Sequence, residues 1–193
     1  MSKIEKGYRT WRLSLEEDKP ILVFPPCEHH TWRPGVNEIT PGEHLPAHEQ
    51  IEGYKKGFYA LKKPEGLVTQ MSYPGKGDIP GELIPHEVLG EAKEGFITRS
   101  ATISQIMSGG EMCDICHREQ ASALLSYQQS SENTPAIFAC STCTRRIQKV
   151  APKSKKLGGI SVNELLDKLA DYYQVDVMPL PEALSAARKQ RRV

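Results

Sequence analysis

The chain has 193 residues, with 25 lysines and arginines against 24 aspartates and glutamates, a formal net charge of +1. Its apolar content is 38%, and no apolar run approaches the roughly 18 residues of a membrane-spanning helix, so we expect no membrane span. The N-terminus has no apolar signal core. Together with the paired cysteines, this predicts a cytoplasmic protein with reduced thiols.

The net charge conceals an asymmetry between the two parts of the chain. Residues 1–143 carry 14 basic and 19 acidic side chains, whereas residues 144–193 carry 11 basic and 5 acidic ones. The positive charge begins directly after the last cysteine. Clustered lysines and arginines are candidate contacts for nucleic acid or for an acidic protein surface, although they also occur on ordinary solvated faces.

Residues 1–107 are predicted to form a β-rich domain, a small barrel or a rolled sheet, because short apolar strands alternate with glycine and proline. The predicted strands are 8–13, 21–24, 57–61, 67–71, 88–92 and 96–106. Residues 73–85 hold three prolines and three glycines and are predicted to be a turn-rich connector. Trp11 and Trp32 are expected in the core.

Residues 108–152 are predicted to form a four-cysteine zinc finger. Two strands, 121–128 and 136–139, would form a hairpin, and a helix would begin at Ser141, inside the second cysteine pair. The overall prediction is an α+β chain, with a β-rich N-terminal domain, the finger and C-terminal helices.

Residues 153–193 are predicted to form a basic linker followed by helices. Ser161 and Glu164 fit a capping box, in which each side chain accepts a hydrogen bond from a free backbone N–H. Apolar residues follow at helical spacing and predict one apolar face: Val162, Leu165, Leu166, Leu169, Ala170 and Tyr173. That face offers a route to self-association. A second helix is predicted over residues 182–192.

The most specific motif is a pair of Cys-x-x-Cys turns, Cys113/Cys116 and Cys140/Cys143, with 23 residues between them. Structural zinc takes four ligands in a tetrahedron, and thiolates suit it. Each turn lets two sulfur atoms converge on one ion, and a hairpin would bring the turns together. The spacing therefore predicts a Zn²⁺ site with these four ligands.

Other uses of the four cysteines remain open at this point: a redox dithiol, an iron–sulfur cluster or plain buried thiols. A redox Cys-x-x-Cys is typical of a thioredoxin-like βαβ setting, which the pattern does not predict here. Four thiolates would leave zinc no open position for a water molecule, so we expect a structural ion. The strand hairpin followed by a ligand-bearing helix resembles a treble-clef finger and, in layout, the zinc-binding domain of Clp-family unfoldases.

A second group of metal-ligand residues lies in the N-terminal half: Cys27, His29, His30, His44 and His48. Three such ligands and an activated water molecule would make a hydrolytic zinc site. No His-Glu-x-x-His spacing is present, and Pro46 interrupts the helix that would place His44 and His48 on one face. The segment is therefore an alternative metal site.

Three motifs support a wider resemblance. They are Gly-aromatic-Arg-x-Trp at residues 7–11, Trp-x-Pro-Gly-x-Asn at 32–37, and Gly-Phe-Tyr-Ala at 57–60, with a later Gly-aromatic-x-x-Arg run at 95–99. On these motifs, residues 7–105 resemble an uncharacterised bacterial and phage domain. The resemblance implies a phage or mobile-element setting and no reaction. A Cys-x-Cys of that group is replaced here by Tyr54 and Lys56.

The function predicted from the sequence is that of a non-enzymatic zinc protein that binds nucleic acid or a DNA-transaction complex. The contacts would come from basic residues beside the finger: Arg145, Arg146, Lys149, Lys153, Lys155 and Lys156. Strand aromatics, if exposed, could stack on unpaired bases. One alternative is a protein-interaction adaptor or a phage-encoded inhibitor or regulator. The other is a zinc hydrolase that uses the histidine-rich segment.

Overall fold

The computed structural model describes residues 4–16, 19–23, 31–39, 57–67, 78–108, 113–116, 118–126, 134–150, 155–156 and 162–180. The strands in these ranges are β1 Gly7–Glu16, β2 Lys19–Val23, β3 Val36–Glu38, β4 Phe58–Leu61, β5 Asp78–Pro85, β6 Val88–Glu91, β7 Gly95–Thr98, β8 Ser100–Ser108, β9 Ala123–Ser126, β10 Thr134–Ala139, β11 Lys155–Lys156 and β12 Asp176–Pro179. The α-helices are α1 Ser141–Val150 and α2 Val162–Tyr173.

Strand β1 is the centre of the sheet, because four other strands pair with it. Its first half pairs with β5, and Tyr8 pairs with Leu61 of β4. Its second half pairs with β2 and, through Ser14 and Leu15, with β10. From β5 the sheet continues to β8, whose other edge carries β3 and β12. From β4 it continues to β7 and β6.

The main core lies on one face of β1. Strand side chains alternate between faces, so Trp11 and Leu13 share this face, and both are fully buried. Trp32 packs on Trp11 with ring centroids 5.4 Å apart, and Phe58 lies 4.7 Å from Trp32. The expectation that both tryptophans lie in the core is confirmed.

Helix α2 closes the main core with its apolar face. Five of the six residues predicted from helical spacing are buried: Val162, Leu165, Leu166, Leu169 and Tyr173. The sixth, Ala170, is half-buried. The Tyr173 hydroxyl accepts a hydrogen bond from the Leu22 N–H and donates one to the Trp32 carbonyl, each at 2.9 Å. Because this face is buried within the chain, it gives no support to self-association, which stays a prediction.

The α+β fold class with a β-rich body is confirmed by these elements. The predicted unit boundaries after residues 107 and 152 stay predictions, and several contacts cross them. β10 of the finger pairs with β1, and one core cluster contains Leu124 and Phe138 of the finger beside residues of α2 and of the β-rich part.

The prediction of a connector over residues 73–85 is wrong for 78–85, which form β5. Pro80 and Pro85 lie near the two ends of this strand. There it pairs with only one neighbour, β1 at Pro80 and β8 at Pro85, so a missing N–H is tolerated. Gly81 is required by close packing, since a Cβ there would meet the Gln105 carbonyl oxygen and the Trp11 ring.

The strand β12 after α2 was not predicted from the sequence. Helix α2 ends at Tyr173, where the next residue, Gln174, adopts a left-handed φ of 56°. The Gln174 N–H then bonds the Asp171 carbonyl at 3.3 Å, and the Val175 N–H bonds the Ala170 carbonyl at 3.0 Å. This pattern is a Schellman motif, and it redirects the chain into parallel pairing with β8.

The left-handed Gln174 predicts a stabilising substitution. Side chains with a Cβ cost about 1 kcal/mol or more in this conformation, whereas glycine does not. We expect Gln174→Gly to raise the free energy of unfolding by about 0.5–1 kcal/mol, measured from the denaturant midpoint. Lys168→Gly, at an exposed position inside α2, is the control and should lower it by about 1 kcal/mol. Destabilisation by both variants would contradict the prediction.

Candidate metal centre

The four paired cysteines lie on three consecutive pieces of the finger. Cys113 and Cys116 belong to a turn that precedes β9, Cys140 directly follows β10, and Cys143 lies in the first turn of α1. The hairpin of β9 and β10 has Phe138 opposite Leu124 and Ala139 opposite Ala123. It returns the chain to the first cysteine pair, as the sequence spacing predicted.

The four sulfur atoms converge to within 4.8 Å of one another, and the Sγ atoms of Cys116 and Cys140 are 3.9 Å apart. In a tetrahedron of thiolates at about 2.3 Å from an ion, the sulfur atoms are about 3.8 Å apart. All four cysteines are free thiols. The cluster therefore has the donor set and the spacing of a four-thiolate metal site.

Backbone hydrogen bonds hold the ligands in this arrangement. The Cys143 N–H donates to Cys140 Sγ at 3.4 Å, and the Thr144 N–H donates to the Cys140 carbonyl at 2.8 Å as α1 begins. The Cys113 N–H donates to the Glu119 carbonyl at 2.8 Å and closes the first turn. Since helix N-termini favour negative charge, the start of α1 suits the thiolate of Cys143.

A small apolar cluster surrounds the sulfur atoms. Leu125, Ile137 and Ala139 of the hairpin are buried against Cys113, Cys140 and Cys143, and Ile147 of α1 packs on the cluster. Cys116 is the ligand with the most exposure, at the half-buried level. This shell excludes water from most of the site and so favours four protein ligands over a bound water molecule.

The surroundings change the acidity of the thiols in opposite directions. The backbone N–H of Arg118, directed at Cys116, lowers the pKa of that thiol to about 7. Burial raises the pKa of Cys140 and of Cys143 above their usual range. Without an ion, the two buried thiols are therefore protonated at neutral pH.

The other predicted contact residues fall partly within the described chain. Arg145, Arg146 and Lys149 are exposed on α1. Lys155 and Lys156 form β11, which pairs with β9 along the hairpin edge. Lys153 lies outside the described residues, as do all members of the histidine-rich group: Cys27, His29, His30, His44 and His48. The second metal site therefore stays a prediction.

Two residues beside the cysteines were not singled out from the sequence. Arg118 supplies the N–H that reaches Cys116, and its position two residues after that cysteine was the available signal. Asp114 lies inside the first Cys-x-x-Cys turn and is 5% exposed. A polar residue within a ligand turn draws attention, but its burial follows only from the tertiary structure.

Comparison with protein-family models, curated proteins and solved structures finds no match for this chain. The resemblance of residues 7–105 to a bacterial and phage domain thus stays a prediction. Among the described helices, none has the length and apolar character needed to cross a membrane.

The geometry predicts that Cys140→Ser abolishes metal binding and unfolds the finger, because the binding energy of a structural ion is also folding energy. The ion per chain, measured by elemental analysis, should fall from one to near zero, with loss of amide protection in the β9–β10 hairpin. Ser141→Ala changes the exposed neighbour and should keep the ion. Retention of a full equivalent of metal by Cys140→Ser would contradict the assignment.

Metal affinity should also depend steeply on pH. The raised pKa values of Cys140 and Cys143 mean that an ion must displace at least two protons, so protons compete more strongly as the pH falls. We expect the affinity to drop at least about 100-fold per pH unit between about pH 8 and pH 6, and more steeply below about pH 7, where the Cys116 thiol is also protonated. A competition titration with a chromophoric chelator measures this. An affinity that is constant over the range would contradict the prediction.

Proposed function

We propose that this chain is a non-enzymatic zinc-binding protein whose finger presents a basic surface to nucleic acid or to a nucleic-acid complex. The observation that carries the proposal is a four-sulfur cluster that includes Cys143 of α1, a helix whose charged residues are all basic and exposed. The resemblance of the N-terminal half suggests a phage or mobile-element setting, and the reduced thiols suggest a cytoplasmic location. Both suggestions rest on the sequence alone.

Zinc is the ion that the donor set favours. Soft thiolate ligands select zinc, copper(I) or iron–sulfur clusters, and tetrahedral four-sulfur sites are typical of structural zinc. Two Cys-x-x-Cys turns around a hairpin, the second opening a helix, fit one tetrahedral ion. A site with four protein ligands has no open position for substrate, so its role is to hold the finger in shape.

Helix α1 has a buried side that carries the ligand Cys143 and an exposed side that carries the basic residues. Cys143 and Thr144 are buried and Ile147 is half-buried on the inner side, whereas Arg145 and Lys149 lie one turn apart on the opposite, exposed side. Arg146 extends the exposed side. The helix contains no acidic residue. Within the described part of the chain, Arg146 and Lys149 form no ion pair, and the Arg145 Nε atom bonds the Ser141 carbonyl at 3.4 Å.

This arrangement has a cost for the folded chain. Like charges three or four positions apart on a helix repel each other and destabilise it by about a few tenths of a kcal/mol per pair. A bound polyanion would relieve that repulsion. It would also gain affinity from counterion release, because each phosphate neutralised by Lys or Arg releases counterions. Lys155 and Lys156 form β11, which pairs with β9 of the same finger.

Base stacking has no support from the core tryptophans. Trp11 and Trp32 are fully buried, so they are not available to stack on unpaired bases. The expected contacts are therefore with phosphates, and the expected binding is salt-sensitive and tolerant of sequence.

The basic residues of α1 could instead serve to stabilise the metal centre electrostatically. A divalent ion with four thiolates carries a net charge of −2, and nearby arginines would offset it. Replacing Arg145, Arg146 and Lys149 would then weaken metal binding directly. Metal content must therefore be measured in the same variants as nucleic-acid binding.

The test is the triple variant Arg145→Ala, Arg146→Ala, Lys149→Ala, titrated with a mixed-sequence DNA duplex. We expect the affinity to fall roughly ten-fold or more at about 50 mM salt. The slope of log K against log salt should fall by about 0.9 for each phosphate that the variant no longer neutralises. Metal content should stay at one ion per chain.

The matched control removes the same charge from exposed sites outside α1, through Lys63→Ala, Lys93→Ala and Lys168→Ala. It should keep most of the wild-type affinity. An equal decrease in both triple variants would refute a localised surface, and absence of wild-type binding to DNA or RNA at low salt would refute nucleic-acid binding altogether.

A further inference from the structure

Asp114 is a buried acidic residue that bonds one residue of the neighbouring strand twice. Its N–H donates to the Phe138 carbonyl at 2.8 Å, and its Oδ2 atom accepts from the Phe138 N–H at 2.8 Å. The residue is 5% exposed. Both backbone groups of Phe138 therefore bond to the same residue of the Cys113–Cys116 turn.

These bonds lie on the edge of β10 that faces away from β9. Backbone groups of successive strand residues point to opposite edges, and the Ala139 carbonyl already accepts from the Ser122 N–H on the β9 side at 2.9 Å. Phe138 consequently directs its N–H and carbonyl to the other edge, where β1 pairs with Thr134 and Pro135. Asp114 continues that edge where the pairing of β10 with β1 has ended.

The position of these two hydrogen bonds links them to the metal centre. Asp114 directly follows the ligand Cys113, and Phe138 lies two residues before the ligand Cys140. Few rotatable bonds separate the Asp114–Phe138 pair from one ligand of each turn. The pair thus fixes the distance between the two Cys-x-x-Cys turns before any ion is bound.

We propose that Asp114 is a positioning residue that sets the affinity and geometry of the four-thiolate centre by fastening the Cys113–Cys116 turn to β10. The proposal rests on the metal site described above and is independent of nucleic-acid binding. The active element is the side-chain oxygen that accepts from the Phe138 N–H. A side chain without that oxygen leaves a buried donor unsatisfied, and an isosteric amide restores the acceptor.

The test uses full-length protein with Co²⁺ as the probe, since its visible spectrum reports tetrahedral thiolate coordination. Three variants are compared with the wild type: Asp114→Ala, Asp114→Asn and, as the matched control, Asp167→Ala at an exposed position on α2. We expect Asp114→Ala to bind Co²⁺ about 10–100-fold more weakly, with altered ligand-field bands. Asp114→Asn and Asp167→Ala should bind within about three-fold of the wild type with an unchanged spectrum.

Three results would overturn the proposal. One is Asp114→Ala with wild-type affinity and spectrum. Another is equal weakening in Asp114→Asn and Asp114→Ala, because that would assign the effect to the negative charge instead of the hydrogen bond. The third is an unchanged spectrum in every variant despite weaker binding, because that would indicate a general loss of stability. Failure of the wild type to bind Co²⁺ would instead refute the metal centre itself.

Discussion

The pairing of both edges of β1 is the constraint on which the rest of the structure depends. One half of the strand joins β5 and β4, and the other half joins β2 and the finger strand β10. Because Ser14 and Leu15 pair with Pro135 and Thr134, the strand that leads to Cys140 is fixed to the body of the protein. The core tryptophan Trp11 lies on the same strand, so core packing and the position of the metal centre are coupled through one backbone.

The finger adds a second, local constraint to that framework. Strand pairing brings the hairpin to the sheet, while the first cysteine turn is joined to β10 through Asp114. An ion held by the four cysteines would join the same two parts a second time. Burial raises the pKa of Cys140 and Cys143, so the metal-free finger holds neutral thiols in an apolar shell. Metal binding exchanges those protons for an ion that joins both turns. In this account the basic side of α1 takes its orientation from the ion, because Cys143 in its first turn is a ligand.

Much of this arrangement could be predicted from local sequence patterns. The spacing of the cysteines predicted the cluster, and helical spacing predicted the buried face of α2, since both signals depend on nearby residues. Strand β5 was missed because Pro80 and Gly81 resemble a turn; only the neighbouring strands and the ring of Trp11 explain why both are tolerated there. β12 was missed because it is short and includes Asp176 and Pro179, residue types that are depleted in strands, so that it depends on pairing with β8. The role of Asp114 depends on Phe138, which lies 24 residues away.

The central claim is that the four cysteines form a single zinc site that shapes a basic finger. X-ray absorption at the zinc edge of the purified full-length protein tests it most directly. The account predicts one zinc per chain with four sulfur neighbours at about 2.3 Å and no nitrogen or oxygen neighbour. A shell that contains histidine or water ligands, or a purified protein without metal whose cysteines are paired as disulfides, would contradict it.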